Sequence, residues 1–123
     1  MDPRRIFGNT GEQMAADHLV SKGMEIVGRQ YRNQYGEIDL ICRDGQEVVF
    51  VEVKARQSVE LAYPEDSVTM RKIEHLVHTA EAYLEEAKLG EVPWRLDVVA
   101  IEYDADPPVV THIEDIDIPE RLW

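Results

Sequence analysis

The sequence of 123 residues contains one cysteine, Cys42, so no disulfide can form within the chain. This excludes the disulfide-rich domains of secreted proteins and favours a reducing, cytoplasmic location. No apolar run approaches the roughly 20 residues that a membrane-spanning helix needs. The first residues, MDPRRIFGNTGEQ, also lack the apolar segment of a signal peptide. We therefore expect a cytoplasmic protein without a membrane partner.

Basic residues are scarce as well: the chain has 13 Lys and Arg against 25 Asp and Glu, a formal net charge of −12. Residues 1–72 hold 10 basic and 12 acidic side chains, whereas residues 73–123 hold 3 and 13. A field this negative opposes general phosphate binding. Contacts to a nucleic acid must therefore come from a basic patch in the first part or from metal ions. The acidic second part is either a solvated surface or a docking face for a basic protein partner.

The chain shows no internal repeat, low-complexity stretch or linker, so we expect a single domain over residues 1–123. Helical periodicity predicts helices over residues 11–22 and about 65–88. Asn9 or Thr10 is expected to cap the first helix, and Pro64 to open the second. Extended segments rich in β-branched residues predict strands at residues 25–32, 37–43, 47–54, 95–103 and 109–116. The order α-β-β-β-α-β-β indicates an α/β or α+β domain with a mixed sheet, and we expect the α/β class.

The strands at residues 37–43 and 47–54 are joined through the turn signal Asp44-Gly45. Side chains alternate across a strand, and one predicted face is entirely apolar, with Ile38, Leu40, Cys42, Val49, Val51 and Val53. The other face is charged at its far end, where it carries Glu37, Asp39, Glu52 and Lys54. A two-residue loop would place Asp39 opposite Phe50, and a four-residue loop would place it opposite Glu52.

The charged end of this face needs a cation, because Glu37, Asp39 and Glu52 repel one another. Lys54 is one candidate, and a divalent ion is the other. Carboxylate oxygens suit a hard metal such as Mg²⁺, and a nearby lysine can stabilise charge that develops on a phosphate. The spacing therefore fits metal-assisted hydrolysis of phosphodiesters, with Asp39 and Glu52 as ligands. The alternative is a solvated strand end with ordinary ion pairs.

The segments GEIDLI at residues 36–41 and VFVEVKAR at residues 49–56 resemble the signature of the YraN-like family of uncharacterised bacterial proteins. That family is assigned to the PD-(D/E)xK, restriction-endonuclease-like superfamily. The similarity extends to GNTGE at residues 8–12, to Pro64 and Lys72, and to RLDVVA at residues 95–100. It implies a mixed β-sheet flanked by helices and a nuclease site that depends on Mg²⁺ or Mn²⁺.

Residue by residue, the resemblance implies that Asp39, Glu52 and Lys54 form the catalytic motif. It also implies that Val53 offers its backbone carbonyl to the metal. Ile38 stands where the superfamily pattern has proline, as is usual in the YraN-like group. We therefore expect a metal-dependent endonuclease that acts on DNA, including branched or single-stranded DNA, or on RNA. The alternative is a nuclease fold with little or no catalysis that binds nucleic acid or a protein partner.

Glu12 is expected on or beside the inward face of the first helix, because it falls at helical spacing with Ala16, Leu19 and Val20. It resembles a helix carboxylate that joins the active site of archaeal Holliday-junction resolvases. An internal salt bridge or a contact with the helix dipole is the alternative. Glu37 is likewise either a further metal ligand or an ordinary strand-end charge.

Three basic side chains, Arg32, Arg56 and Lys72, are the predicted contacts to nucleic-acid phosphates, with DNA as the preferred partner. Scattered solvated charges are the alternative interpretation. Related nucleases often work as dimers, so a homodimer is one arrangement that the resemblance implies.

Other conspicuous residues are interpreted as structural. Arg95 and Asp97, two positions apart on a predicted strand, are expected to pair with each other. Cys42 is expected to be a buried, inert thiol. His75 and His78 lie three apart on the second predicted helix without a third ligand nearby, so they are expected at the surface.

Overall fold

Two long helices and five strands make up the described part of the chain, which is residues 3–57 and 68–122 of a computed structural model, with side chains from residue 10 onward. The helices are α1 (Pro3–Ser21) and α2 (Met70–Glu86). The strands are β1 (Glu25–Asn33), β2 (Gly36–Asp44), β3 (Glu47–Arg56), β4 (Trp94–Glu102) and β5 (Val109–Ile113). A single turn of 3-10 helix follows at Glu120–Leu122. Neither described helix is long and apolar enough to cross a membrane.

The five described strands belong to one mixed sheet, in the spatial order β1-β2-β3-β4-β5. β1, β2 and β3 form an antiparallel meander, and β4 and β5 form a second antiparallel pair. β3 and β4 are parallel, so the chain must cross over between them, and α2 lies in that crossover. The predicted order α-β-β-β-α-β-β and the mixed α/β fold are confirmed.

The two helices cover opposite faces of the sheet, each over an apolar core. The core under α1 contains Ala15, Ala16 and Leu19 of the helix and Leu40, Cys42, Val49, Val51, Val99 and Ile101 of the sheet. The core under α2 contains Ile73, Leu76, Val77, Ala80 and Leu84 of the helix and Ile38, Ile41, Val48, Phe50, Leu96 and Val98 of the sheet. Burial of a large apolar side chain stabilises the fold by about 1.5–3 kcal/mol. The central strands that carry the candidate site are therefore held firmly between two packed layers.

The first helix begins at Pro3, well before the predicted start at residue 11. Proline suits the first turn of a helix, where its missing N–H loses no hydrogen bond. Asn9 and Thr10 therefore lie inside α1, and the prediction that either one caps the helix is wrong. The inward stripe also differs, because Val20 is 54% exposed and Ala15 is buried in its place.

The second helix begins at Met70, directly after Thr69, whose side chain accepts a hydrogen bond from the Lys72 N–H at 3.2 Å. A cap of this kind satisfies one of the N–H groups that the first turn leaves unpaired. The predicted opening at Pro64 lies outside the described residues. The cap matters for the site because it fixes the backbone of Lys72 above the sheet.

The facing of β2 changes at Asp39. Leu40 and Cys42 pack under α1 as predicted, but Ile38 packs under α2, so the prediction that the three share one face is wrong. The change occurs next to Gln30 of β1, whose φ of 49° is left-handed and which lies between the paired positions that flank Asp39. A left-handed residue interrupts the regular alternation of a strand. Asp39 therefore lies at the position where the facing of β2 changes. Charges from both helices act on it, Glu12 from α1 and Lys72 from α2.

Candidate functional site

The ladder between β2 and β3 ends at the pair Leu40↔Val51, in the register predicted for a four-residue loop. Continuing this register by one position relates Asp39 to Glu52. Beyond the last pair, the Asp39 carboxylate replaces a backbone acceptor, and its Oδ2 accepts the Val53 N–H at 2.8 Å. The N–H and C=O of one strand residue point to the same side. The Val53 carbonyl therefore also lies on the side of β2 and of Asp39.

Glu52 is buried on the α2 side of the sheet, with 6% of the residue exposed. Its Oε1 lies 2.6 Å from Nζ of Lys72, in the first turn of α2. Burial lowers the pKa of the Lys72 ammonium, but its hydrogen bond to Glu52 and the charges of Glu52, Asp39 and Glu37 raise this pKa overall. An unpaired buried carboxylate is costly. Lys72, predicted as a contact to nucleic acid, is therefore also the cation that balances Glu52.

Asp39 is surrounded by more negative than positive charge. Burial raises the pKa of its carboxyl to about 7, and the charges of Glu52 and Glu12 act in the same direction. The Val53 N–H and the Lys72 ammonium oppose this only in part. Buried carboxyl groups with raised pKa values cluster at functional sites. Here the imbalance means that a bound cation would stabilise the ionised form of Asp39.

Glu12 reaches this cluster from α1, on the face of the sheet opposite to Lys72. Its Oε2 accepts a hydrogen bond from Nε2 of Gln30 at 3.0 Å. Gln30 is also the left-handed residue beside Asp39, so one irregular position of β1 lies next to the change of facing in β2 and also anchors Glu12. Nothing in the sequence around Gln30 indicated either role, because the residue that most readily adopts this conformation is glycine. The catalytic role of Glu12 stays a prediction.

The predicted metal ligands lie partly together. Asp39, Glu52 and the backbone of Val53 meet at one strand end, whereas the Glu37 side chain is 39% exposed and pairs with Arg32 at 3.0 Å. Within residues 3–57 and 68–122, no three His, Cys, Asp or Glu side chains form a group that could hold a metal by themselves. A Mg²⁺ ion needs fewer, because it usually takes one or two carboxylates together with waters and phosphate oxygens.

The predicted contacts to nucleic acid are each paired with a carboxylate: Arg32 with Glu37 at 3.0 Å, Arg56 with Glu102 at 3.7 Å and Lys72 with Glu52 at 2.6 Å. The Arg56 side chain is only 15% exposed. Lys54 is half-buried and makes no ion pair with a residue whose side chain is described. A phosphate group would therefore compete with protein carboxylates for three of these four cations.

A second buried carboxylate, Asp97 of β4, has a full set of donors. It accepts hydrogen bonds from Arg95 Nε at 3.0 Å, from His112 Nε2 at 2.7 Å and from the Asp115 N–H at 2.9 Å. Burial alone would raise the pKa of Asp97, but these hydrogen bonds lower it overall. The predicted Arg95–Asp97 pair is confirmed. Strand β5 ends at Ile113, earlier than predicted, because Asp115 adopts a φ of 53° and turns its N–H to Asp97.

His112 connects Asp97 to the segment that follows α1. Nζ of Lys22 lies 2.8 Å from His112 Nδ1. An ammonium group can only donate, so Nδ1 accepts and the ring proton is on Nε2, which donates to Asp97. The same ammonium lies 3.4 Å from Glu114 Oε1. No sequence motif indicates this chain of contacts, because its members come from separate elements.

The remaining structural predictions hold. Burial raises the pKa of the Cys42 thiol to about 12, so the thiol is inert at neutral pH. His75 and His78 lie exposed on α2. These residues therefore carry no part of the candidate site.

A family model and several curated proteins are similar to this chain, and their names give a family without an activity. The protein-family model described as "Uncharacterised protein family UPF0102" matches residues 11–101, which include the candidate site. A UPF0102 protein of Caldicellulosiruptor saccharolyticus is 40% identical over 98 residues, covering 80% of this chain and 83% of that protein. One of Chlorobium limicola is 41% identical over 104 residues, covering 85% and 80%. One of Syntrophomonas wolfei is 38% identical over 109 residues, covering 89% and 95%.

Proposed function

Since the chain belongs to the uncharacterised protein family UPF0102, in agreement with its YraN-like resemblance, we propose its function from the site itself: a divalent-metal-dependent endonuclease that hydrolyses phosphodiester bonds. Its proposed substrate is DNA, branched or single-stranded forms included, with RNA as the second polymer to test. One observation carries the proposal. Asp39 and Glu52 are brought together at the end of the β2–β3 ladder, where burial and the Glu52 charge raise the pKa of Asp39 to about 7.

The donor set suits Mg²⁺ or Mn²⁺. Asp39 and Glu52 offer carboxylate oxygens, and the Val53 carbonyl offers a third oxygen on the same side of β3, with Glu37 at the rim. These are the hard donors that such ions prefer, and the repulsion between the carboxylates is what a cation relieves. A divalent ion held by these residues would supply positive charge to a phosphate oxygen and would lower the pKa of a nearby water.

The other side chains of the site act on the substrate in this proposal. Lys54 follows Glu52 by two positions on β3, on the same face in regular alternation, and donates to a phosphate oxygen on which charge develops. Glu12, held by Gln30, adds a carboxylate beside Asp39. Arg32 and Arg56 bind flanking phosphates once these displace their carboxylate partners.

The test is a cleavage assay on single-stranded, flapped and four-way DNA in Mg²⁺ or Mn²⁺, with EDTA as the metal-free control. We expect cleavage with either ion and none in EDTA. Asp39→Asn and Lys54→Ala should each slow cleavage at least about 100-fold, because each removes a charge that acts in the transition state. The matched control is Asp117→Asn, since Asp117 is exposed on the C-terminal segment.

Two outcomes would contradict the proposal. If cleavage persists in both Asp39→Asn and Lys54→Ala, the activity belongs to a contaminant. If no substrate is cleaved in either metal, the carboxylate pair has another use.

A binding module without catalysis is a second candidate, which a cavity of about 890 Å³ between the C-terminal end of α2 and β4 favours. Its walls include Glu81, Glu85, Glu91, Leu84, Val92 and Trp94, with Lys88 as the one basic residue among those that line it. Acidic side chains around an aromatic ring suit a basic protein segment. The net charge of −12 also favours a basic partner over a nucleic acid. The predicted phosphate contacts do so too, because each is already paired with a carboxylate.

Salt dependence separates the two candidates. A nuclease should bind DNA at low ionic strength with Mg²⁺ present, and the affinity should fall steeply as salt is added. If DNA is not bound even at low salt, the binding module is the better proposal. An arginine-rich peptide then serves as the probe, and Glu85→Gln with Glu91→Gln should weaken its binding.

We also propose a cytoplasmic location and a homodimer as the working assembly. The location fits a chain whose single cysteine is buried and forms no disulfide. Sedimentation over a range of concentrations tests the assembly, and a monomer at all concentrations, with and without DNA, would contradict it.

A further inference from the structure

The ion pair between Lys72 and Glu52 lies within the candidate site. Glu52 is one of two proposed metal ligands, its side chain is 7% exposed, and its Oε1 lies 2.6 Å from Nζ of Lys72. At that distance the ammonium occupies part of the acceptor capacity of the carboxylate. A metal ion that binds Oε1, or the carboxylate as a whole, would therefore compete with the ammonium for the negative charge of Glu52.

The two ends of Lys72 are held very differently. Its backbone is fixed, because its N–H is bonded to the capping Thr69 and the following Ile73 packs in the core under α2. Its side chain is long and 42% exposed. The ammonium can therefore leave Glu52 by rotation of the side chain, without any movement of the helix.

There is room beside the site for the displaced ammonium. A cavity of about 390 Å³ adjoins Lys72, and its walls include one acidic residue, Glu37, and one further basic residue, Arg71, together with His75 and Leu76. Glu37 already contributes to the electrostatic surroundings of Lys72. An ammonium that leaves Glu52 can therefore remain near a carboxylate and at the edge of the site, where a substrate phosphate would arrive.

We infer that Lys72 is an internal counter-ion that a divalent cation displaces from Glu52, so that this lysine sets the metal affinity of the site. In the metal-free chain, the Lys72 ammonium is paired with the buried Glu52 carboxylate. When the cation binds, the ammonium is released toward the phosphate side. Lys72 is thus a positioning residue that links metal occupancy to the charge presented to the substrate. The inference uses the metal site of the proposed function, but it does not depend on cleavage.

The experiment measures Mg²⁺ and Mn²⁺ binding by calorimetry to the full chain after removal of metal with EDTA. Lys72→Met keeps the aliphatic stem and removes the ammonium. We expect this variant to bind either ion about tenfold more tightly, because no ion pair has to be broken. Lys88→Met is the matched control: it removes an exposed positive charge just beyond the C-terminal end of α2, away from the site, and should change the affinity by less than about twofold.

Direct observation of the ammonium supplies a second measurement on the unmodified chain. In a ¹⁵N NMR titration with Mg²⁺, the Nζ signal of Lys72 should shift as the site fills, while that of Lys88 stays unchanged. This measurement remains informative if Lys72→Met does not fold. The inference would be overturned if Lys72→Met binds the metal ions no more tightly than the unmodified chain does. It would also be overturned if the Nζ signal of Lys72 does not shift when Mg²⁺ is added.

The cleavage assay keeps this inference separate from the proposed function. Tighter metal binding by Lys72→Met without cleavage by any form retains the role of Lys72 and overturns the nuclease. Cleavage by the unmodified chain, together with an unchanged metal affinity in Lys72→Met, retains the nuclease and overturns the role of Lys72. Absence of metal binding in every form overturns both.

Discussion

Asp39, which is half-buried, and Asp97, which is fully buried, are aspartates of one sheet, but their surroundings differ in kind. Asp97 accepts hydrogen bonds from Arg95, His112 and a backbone N–H, and these lower its pKa despite burial. Asp39 accepts one backbone N–H, and partial burial together with the charges of Glu52 and Glu12 raises its pKa to about 7. One carboxylate is fully compensated by the protein, and the other is left short of positive charge.

This difference separates a carboxylate whose charge the protein compensates from one that could take a bound cation. A buried acid with enough donors contributes to the fold and has no capacity left for a ligand. A buried acid without them is destabilised in its ionised form until a cation arrives. The four predictions that follow test this contrast between the Asp97 and Asp39 clusters.

The largest expected effect comes from neutralising each aspartate in turn. Asp97→Asn should lower the free energy of unfolding by about 3 kcal/mol, because Arg95 and His112 lose their buried charged partner. Asp39→Asn should leave it unchanged or raise it at pH 8, because it removes the repulsion with Glu52. Urea unfolding in EDTA measures both. Equal losses in the two variants would show that the contrast is wrong.

A smaller effect is expected from His112, whose side chain is 2% exposed. His112→Ala removes one hydrogen bond from Asp97 and should cost about 1–3 kcal/mol, since Arg95 and the backbone N–H remain. The same urea measurement applies. His78→Ala is the control, because His78 is exposed on α2 and should change stability by less than about 0.5 kcal/mol. A variant of His112 no less stable than this control would mean that the histidine only fills space.

The pH dependence of stability should separate the two aspartates again. The folded-state pKa of Asp39, about 7, lies above its ordinary value of 3.8, so its contribution favours the folded state at low pH and is lost as the pH rises through 7. The pKa of Asp97 is lowered, so its contribution is present above the ordinary value and is lost as the pH falls.

For the metal-free chain, we therefore expect the Asp39 contribution to the free energy of unfolding to decline between about pH 4 and 7, by at most about 1.4 kcal/mol per unit. Thermal or urea unfolding at several pH values measures this. Asp39→Asn should remove the decline, and a decline of the same size in that variant would assign it to another group.

The smallest effect on stability is expected at the rim. Arg32 is 75% exposed and pairs with Glu37, so Arg32→Ala should change the free energy of unfolding by less than about 1 kcal/mol. If Arg32 contacts a phosphate, the same variant should weaken DNA binding uniformly across sequences and lower the salt slope by about 1. Binding measured at several salt concentrations tests this, and an unchanged slope would place Arg32 outside the interface.

Much of the fold follows from local patterns that the sequence displays. The alternation along β3, the helical spacing from Ile73 to Leu84 and the turn at Asp44-Gly45 predict the element order and the mixed sheet. The same alternation places Glu52 on the α2 side of β3. These predictions hold because burial depends on periods of 2 and 3.6 residues, which a short window reveals.

The charge balance of the site was decided by tertiary structure. The left-handed Gln30 lies beside Asp39, where the facing of β2 changes. The packing of α2 on the sheet brings Lys72 to Glu52. His112 reaches Asp97 only because β5 pairs with β4. The sequence alone determined which acids are carried on the sheet, since periodicity is local. Which of these acids lies next to a basic side chain depends on distances between segments far apart in the chain, and only the packed fold sets those distances.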